Sequence, residues 1–333
     1  MVTCAGVDAG TRDYEIVVLN KGDCEVYKFE TGKIKDNPSD FLETLRSIEA
    51  DTIAGLSGYG LPIKKFTELR DEEVFLMTLN LDKEASIGLR RIIGEIRKWG
   101  SNFYTIPGVI HLPSVPEWRK FNRIDLGTYD KVCSVVLAVL ELSEEIELEK
   151  QNFLLAEVGY GFTSAIAVKN GKIVDGIGGT SGFMGYSSLG SIDAELAYLL
   201  GDFPKELIFS GGVKSFVSER GGNELEILSE FVIKNLKAVE VSTKAEICFL
   251  SGKFAEKVER RVREFYETRI LRGYCKGKQS AQGAAIVANA IADGEFRKIV
   301  EHLEIFNAKG SIFDYLSSYI KNKILKRLNK LDV

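Results

Sequence analysis

Histidine and proline are both scarce in this chain of 333: there are two histidines, His111 and His302, and six prolines. Two histidines exclude a histidine-rich metal site and the zincin-type motifs. Neither stands in a nucleophile motif that would complete a Ser-His-Asp or Cys-His arrangement. The five cysteines (Cys4, Cys24, Cys133, Cys248, Cys275) are widely spaced and form no C-x-x-C pair, which argues against a structural zinc site or a disulfide framework. Most lie in apolar segments, so reduced core cysteines in a cytoplasmic protein are expected. Long apolar runs are also missing. The longest, near residues 132–142 and 284–291, fall well short of the ~20 residues a membrane span needs. The N-terminus opens on a strand-like run rather than a secretory signal. Net charge is −4 with the two signs interspersed, so there is no basic footprint for nucleic acid. The expected partner is a small molecule rather than nucleic acid or membrane, with a homodimer allowed.

Glycine is what the chain has in excess, with 32 residues. Hydrophobic residues make up 45% and charged residues 28%, which suits a folded globular protein. The length suits about two domains at ~150 residues each.

Comparison of the chain with itself sharpens that estimate. Asp8-Ala-Gly10-Thr-Arg-Asp-Tyr-Glu-Ile-Val-Val-Leu-Asn-Lys-Gly22 aligns without a gap with Glu157-Val-Gly159-Tyr-Gly-Phe-Thr-Ser-Ala-Ile-Ala-Val-Lys-Asn-Gly171. Acid meets acid, glycine meets glycine, and an apolar strand meets an apolar strand. Each copy follows an apolar run (2–7 and 153–156) and reads as strand, acid-x-Gly turn, strand, tight turn, strand. The third strands fall at 24–29 and 172–177. Two similar α/β lobes are expected. The first covers 1–145, with an irregular, proline-bearing insertion at about 58–118. The second covers 150–294, and helices at 295–333 close the chain. Within the first lobe, Pro38 at a first helical position opens a helix to about residue 49. A buried strand at 52–56 and a helix at 84–99 follow, and a long apolar helix at 128–145 links the lobes. The second lobe should carry helices at 192–200, 224–239, 254–267 and 281–292, alternating with strands at 206–209, 246–250 and 269–271.

The acid-glycine turn suits phosphate chemistry. Glycine lets backbone N–H groups approach phosphate oxygens, and Thr11 adds a hydroxyl donor. The carboxylate of Asp8, or of Glu157 in the second copy, can hold Mg²⁺, which then bridges phosphate oxygens. Two facing turns would clamp a nucleoside triphosphate. A third element, Leu250-Ser251-Gly252-Lys253, runs from an apolar strand into a small turn with room for a flat adenine ring. Phe209-Ser-Gly211-Gly212 competes for that role. Gln282-Gly283-Ala284-Ala285 opens a helix of small residues suited to very close packing.

Together these residues resemble the actin-like ATPase superfamily, which includes sugar kinases and acetate and butyrate kinases. Gly6-Val-Asp8-Ala-Gly10-Thr11 is similar to its first phosphate motif. Glu157-Val-Gly159-Tyr-Gly161-Phe-Thr163 is similar to the second, with Glu157 where Asp is usual. Ser251-Gly252 resembles the adenosine motif, with Lys253 where a second glycine is usual. Asp125-Leu-Gly127-Thr128 and the Gln282 helix resemble its connecting segments. The similarity spans about residues 2–294 and is strongest to an archaeal family described as predicted butyrate kinases. It implies two duplicated ribonuclease H-like lobes, a nucleotide cleft between them, and ATP with Mg²⁺ as cofactors.

Six glycines fall in residues 176–190. This segment, with Gly179, Thr180 and Ser181, loosely resembles the substrate loop of acetate and butyrate kinases. Ser57 and Tyr59 leave a buried strand at its C-terminal end, where open α/β sheets place ligands. Acceptor chemistry separates two kinase readings. A sugar hydroxyl needs a general base, for which Asp125 and Asp130 are candidates, alternatively as metal partners. A carboxylate acceptor is already ionised and needs charge neutralisation, which arginine does best; Arg12 and Arg123 are placed for it. The expectation is an ATP-dependent kinase acting on a short-chain carboxylate. A sugar or polyol kinase and an ATPase conformational switch are the alternatives.

Overall fold

The computed structural model describes residues 2–20, 23–81, 89–100 and 102–331. The turn expected at Gly22 and the start of the helix expected from residue 84 lie outside the described residues. Among the described residues, ten strands form two five-stranded sheets. The first sheet contains β1 (Cys4–Ala9), β2 (Asp13–Asn20), β3 (Asp23–Glu30), β4 (Thr52–Gly55) and β5 (Phe103–Tyr104). The second contains β6 (Phe153–Val158), β7 (Thr163–Lys169), β8 (Lys172–Ile177), β9 (Ile247–Ser251) and β10 (Glu267–Ile270).

The two sheets share one topology, with orders β3-β2-β1-β4-β5 and β8-β7-β6-β9-β10. In each, three strands form an antiparallel meander and two more add in parallel. Tight turns can join antiparallel neighbours, whereas parallel neighbours need longer crossovers. The helix Ser39–Ser47 lies in the crossover to β4. The repeat extends to register. Cys4 pairs with Leu19 and Asp8 with Glu15; their sequence counterparts Phe153 and Glu157 pair with Val168 and Ser164. The copies diverge at β8, where a bulge at Ala167/Val168 shifts the pairing.

The chain divides into two compact units. One comprises Met1–Ile124, Thr128–Glu141 and Arg272–Val333; the other comprises Asp125–Gly127 and Leu142–Leu271. The core of the first gathers Val7, Ile16, Phe41, Leu56 and Phe103 around its sheet. The core of the second gathers Leu154, Ala165, Val232 and Leu250, with the helix Glu224–Glu240 lying on β6, β7 and β8. The helix Gln279–Ile291 packs across β1, β4 and β2 of the first sheet. The sequence reading carries the second lobe as far as residue 294, but this helix belongs with the first sheet. Its fit depends on missing side chains. A Cβ on Gly6 would stand 2.0 Å from the Ala281 carbonyl oxygen, and one on Gly283 would stand 1.9 Å from that of Cys133. Cys133 lies in the helix Tyr129–Leu142, so strand and both helices meet backbone to backbone.

Two local expectations are corrected. Residues 206–209 are not a strand; Lys205–Phe209 is a 3-10 helix that begins after Pro204. Nor are all five cysteines reduced. A disulfide joins Cys24 on β3 to Cys275, ahead of the helix Gln279–Ile291, while Cys4, Cys133 and Cys248 are buried thiols outside it. A separation of 251 residues leaves no spacing signature in sequence. Thiol titration in denaturant should therefore count three cysteines, rising to five after reduction. Closing so long a loop stabilises the fold by about 5 kcal/mol in the chain-entropy account, so reductant should lower the thermal midpoint. His111 lies in the 3-10 helix Val109–His111. It is buried, and desolvation, only partly opposed by a bond to Gly108, pulls it down to about 4, so the ring stays neutral.

Candidate functional site

The first acid-glycine turn closes between β1 and β2 with a Gly10 N–H to Asp13 O bond of 3.0 Å. Asp8, at the end of β1, is 5% exposed. Its antiparallel partner is Glu15, whose partner on β3 is Lys28. Directly paired residues lie on one face of a sheet, so two acids and a lysine form a row across three strands. Adjacent acids repel unless cations neutralise them. Two lysines do so. Lys28 Nζ lies 2.9 Å from Glu15 Oε1 and 3.0 Å from Asp13 Oδ2. Lys278, at the start of the helix Gln279–Ile291, places Nζ 2.9 Å from Asp8 Oδ2 and 2.9 Å from Asp13 Oδ1. It also donates to the Asp13 carbonyl at 2.5 Å. Its backbone N–H donates to Glu15 Oε2 at 2.7 Å.

These contacts set the proton affinities. Burial raises the Asp8 carboxyl; Lys278 opposes this and Asp130 adds to it. Burial works against ionised Asp13 as well, but Lys278 and Lys28 outweigh it and hold that carboxyl below its usual value. Partial burial works against the Lys278 ammonium, yet Asp8 and Asp13 hold it above the usual lysine value. Tyr129 completes the wall: its hydroxyl donates to Val7 O at 3.2 Å and accepts from the Ala9 N–H at 3.3 Å.

Asp130 belongs to this neighbourhood through its field on Asp8; its own carboxylate is bonded to Thr128 and paired with Lys131. Thr11 and Arg12 are exposed at the turn, and Arg123 is exposed elsewhere in the chain. Ser57 is fully buried, donating to Gly55 O at 2.9 Å and accepting from the Ile106 N–H at 2.8 Å. Its hydroxyl supports the turn after β4. Tyr59 is half-buried there, with its N–H on Met77 O at 2.9 Å.

The second turn repeats the first, with a Gly159 N–H to Phe162 O bond of 3.0 Å. Glu157 pairs with Ser251 across the parallel β6–β9 ladder, so the second turn and the Ser251-Gly252-Lys253 turn share one sheet end. Gly252 has φ +90°, and a Cβ there would lie 2.8 Å from Val158 O, so only glycine fits. The Lys253 ammonium stands 4.7 Å from the centre of the Tyr160 ring. Thr163 and Ser164 are buried at the start of β7, and both hydroxyls lack a hydrogen-bond partner. Buried orphans of this kind call for a water or ligand.

The glycine-rich loop belongs to the same unit. Gly161 accepts the Ser188 N–H at 3.1 Å. Gly212 donates to Ser187 O at 3.1 Å, so Gly211-Gly212 packs on this loop. Asp125 is the loop's anchor. Its Oδ2 accepts from the Thr180 N–H at 3.0 Å and hydroxyl at 2.8 Å, and its Oδ1 accepts from Gly127 at 3.0 Å. Its carbonyl accepts from the Ser181 hydroxyl at 2.5 Å. A Cβ on Gly178 would overlap the Asp125 carboxylate. Gly179 is packed against Phe162, the residue that closes the second turn.

Sequence reasoning missed Lys278, which lies 270 residues from Asp8. The available signal was charge: Asp8, Asp13 and Glu15 crowd residues 4–20, where Arg12 is the one basic residue.

Two mixed sheets of one strand order, each with an acid-glycine turn after its first strand, define the duplicated fold of the actin-like ATPases and sugar kinases. An acetate kinase from Entamoeba histolytica superposes with a TM-score of 0.52 at 10% identity, over 78% of this chain and 84% of that one. An inorganic polyphosphate/ATP-glucomannokinase from Arthrobacter sp. strain KM gives 0.46 at 12% identity, over 86% and 98%. A glucokinase from Balamuthia mandrillaris in complex with glucose gives 0.44 at 12%, over 86% and 94%. By sequence the chain belongs to the family described as protein of unknown function (DUF1464), whose model matches residues 6–318. No curated protein sequence matches it significantly. Among the described residues, no helix is long and apolar enough to cross a membrane.

Proposed function

We propose that this protein is an ATP-dependent phosphotransferase that uses Mg²⁺ and acts on a small-molecule acceptor, a short-chain carboxylate in the manner of a butyrate kinase. The observation that carries the reading is the duplicated turn: acid, glycine and an identical closing hydrogen bond at the end of the first strand of each sheet.

The residues suit the cofactor. No group of three or more His, Cys, Asp or Glu side chains gathers as a metal site among the described residues. Mg²⁺ takes one or two carboxylates and leaves its other positions to water and phosphate. Asp8 would hold it at the first turn; Glu157 is the acid at the same place in the second turn. The oxygens of Asp8 and Asp13 already surround a cation, the Lys278 ammonium. When bound, Mg²⁺ neutralises phosphate charge as the bond to the leaving group breaks. Gly10 and Gly159 hold the two turns closed, and Thr11 and Gly161 offer hydroxyl and backbone contacts to phosphate. The orphan hydroxyl of Thr163 is a donor still to be used. Ser251, Gly252 and Lys253 would meet the adenosine, with Gly211-Gly212 bracing the loop beside them.

The state of the candidate bases favours a carboxylate acceptor over a hydroxyl. Asp125 is engaged with Thr180 and Gly127, and Asp130 with Lys131 and Thr128. A hydroxyl must lose a proton to a base, whereas a carboxylate oxygen attacks the γ-phosphorus already ionised and yields an acyl phosphate and ADP. Arg12 and Arg123 are the cations proposed to escort the transferred group, and Thr180 and Ser181 line the acceptor loop. An acceptor screen that follows ADP release with hydroxylamine present tests this. Hydroxamate formation with short-chain acids is the expected result. Phosphorylation of a polyol, with every acid inert, would overturn the choice of acceptor.

A further inference from the structure

The space above Gly10 is taken. A Cβ built there would lie 2.2 Å from Lys278 Nζ, 2.9 Å from Asp13 O and 3.5 Å from Asp8 Oδ2. The ammonium therefore sits in a seat made of two carboxylate oxygens and a carbonyl oxygen. Oxygen seats of this kind also suit a hard divalent cation. Both cannot occupy it together, because like charges at contact repel strongly in a partly buried site. Lys278 is only 24% exposed at its side chain, whereas Lys28, the other lysine of the cluster, is 60% exposed and does not touch Asp8.

We propose that Lys278 is the resident counter-cation of the Asp8 seat and that a divalent cation must displace its ammonium to bind. The inference rests on the reading of Asp8 as the metal-bearing carboxylate. It adds that the affinity of the turn for metal is set by a residue of this chain. The backbone of Lys278 stays anchored by Glu15, so a displaced ammonium remains within its own side-chain length of the turn. There it becomes a positioning charge for the phosphate oxygens that arrive with the metal. Metal alone would then bind weakly, because it exchanges one cation for another. Metal bound to a nucleoside di- or triphosphate would bind well, because the phosphates give the ammonium a new partner. The ligand class is a divalent-cation complex of a nucleoside polyphosphate.

The test is Mn²⁺ binding without nucleotide, read by electron paramagnetic resonance on the full chain. Wild type should bind Mn²⁺ weakly. Lys278→Gln and Lys278→Met should bind at least tenfold more tightly, whereas Lys278→Arg and Lys28→Gln should stay at the wild-type level. Equal affinity in wild type and Lys278→Gln would overturn the proposal, as would an equal gain in Lys28→Gln. Should the neutral variants fail to fold, millimolar Mn²⁺ is expected to restore them by filling the vacated seat, and failure to do so counts against the proposal. Calorimetry of wild type with Mg-ATP separates the two levels. Nucleotide binding without a metal gain in Lys278→Gln removes this inference alone; no nucleotide binding removes the reading beneath it.

Discussion

Asp8→Asn should lower ATP-dependent turnover by about 10³-fold, the scale for removing a preorganised charge from a transition state, while the protein stays folded. The side chain keeps its shape and loses only its charge. That charge balances Lys278 and is the one proposed to hold metal at the turn. Stability should change little because two effects oppose each other. The substitution removes a buried acid that faces Glu15 across the hairpin and feels Asp130. It also removes one partner of Lys278, but the ammonium keeps Asp13 Oδ1 and the Asp13 carbonyl. ADP release and the thermal midpoint, measured on the same preparation, check both halves. Activity within tenfold of wild type would show that the first turn is not where the chemistry is organised.

Gly6→Ala should produce the largest loss of stability. Its Cβ would meet backbone atoms on the facing helix, the Ala281 oxygen at 2.0 Å and the Ala285 nitrogen at 2.2 Å. Backbone cannot swing aside as a side-chain tip can, so the helix Gln279–Ile291 must lift off β1. Overpacking of this sort costs about 3 kcal/mol or more, or roughly 6–12 °C in the thermal midpoint for a unit of this size. The helix also carries Lys278 at its N-terminal end, so nucleotide binding should weaken in parallel. Gly32→Ala is the control. It lies in the helix Thr31–Asp36 with nothing within 4 Å of a new Cβ, and alanine there should be neutral or stabilising by about 0.5–1 kcal/mol. A thermal midpoint for Gly6→Ala within 2 °C of wild type would contradict the close-packing account.

What the sequence revealed and what it hid follow the range of the interactions involved. The repeat was legible because a hairpin writes its own pattern: alternating apolar residues, a glycine turn, and a register that follows from the turn. The structure then sets the matching registers, Asp8 on Glu15 and Glu157 on Ser164. Contacts between distant segments leave no such trace. The disulfide from Cys24 to Cys275, the ammonium of Lys278 on Asp8, and the seating of the helix Gln279–Ile291 on the first sheet all join residues more than two hundred positions apart. Roles were harder to read than elements. Asp125 has the residue type of a base and the position of one, yet it anchors Thr180 and Gly127. Ser57 stands at a strand end that favours ligands, yet its hydroxyl braces Gly55 and Ile106. Only the partner of a polar atom distinguishes these roles, and the partner lies elsewhere in the chain.

The most direct test is calorimetric titration of folded wild-type protein with Mg-ATP. A phosphate-binding turn built on Asp8 and Gly10 predicts saturable binding with Kd between about 1 μM and 1 mM, the usual span for enzyme substrates. That binding should weaken at least tenfold in Asp8→Asn. No heat of binding at millimolar nucleotide, from protein shown to be folded, would contradict the account.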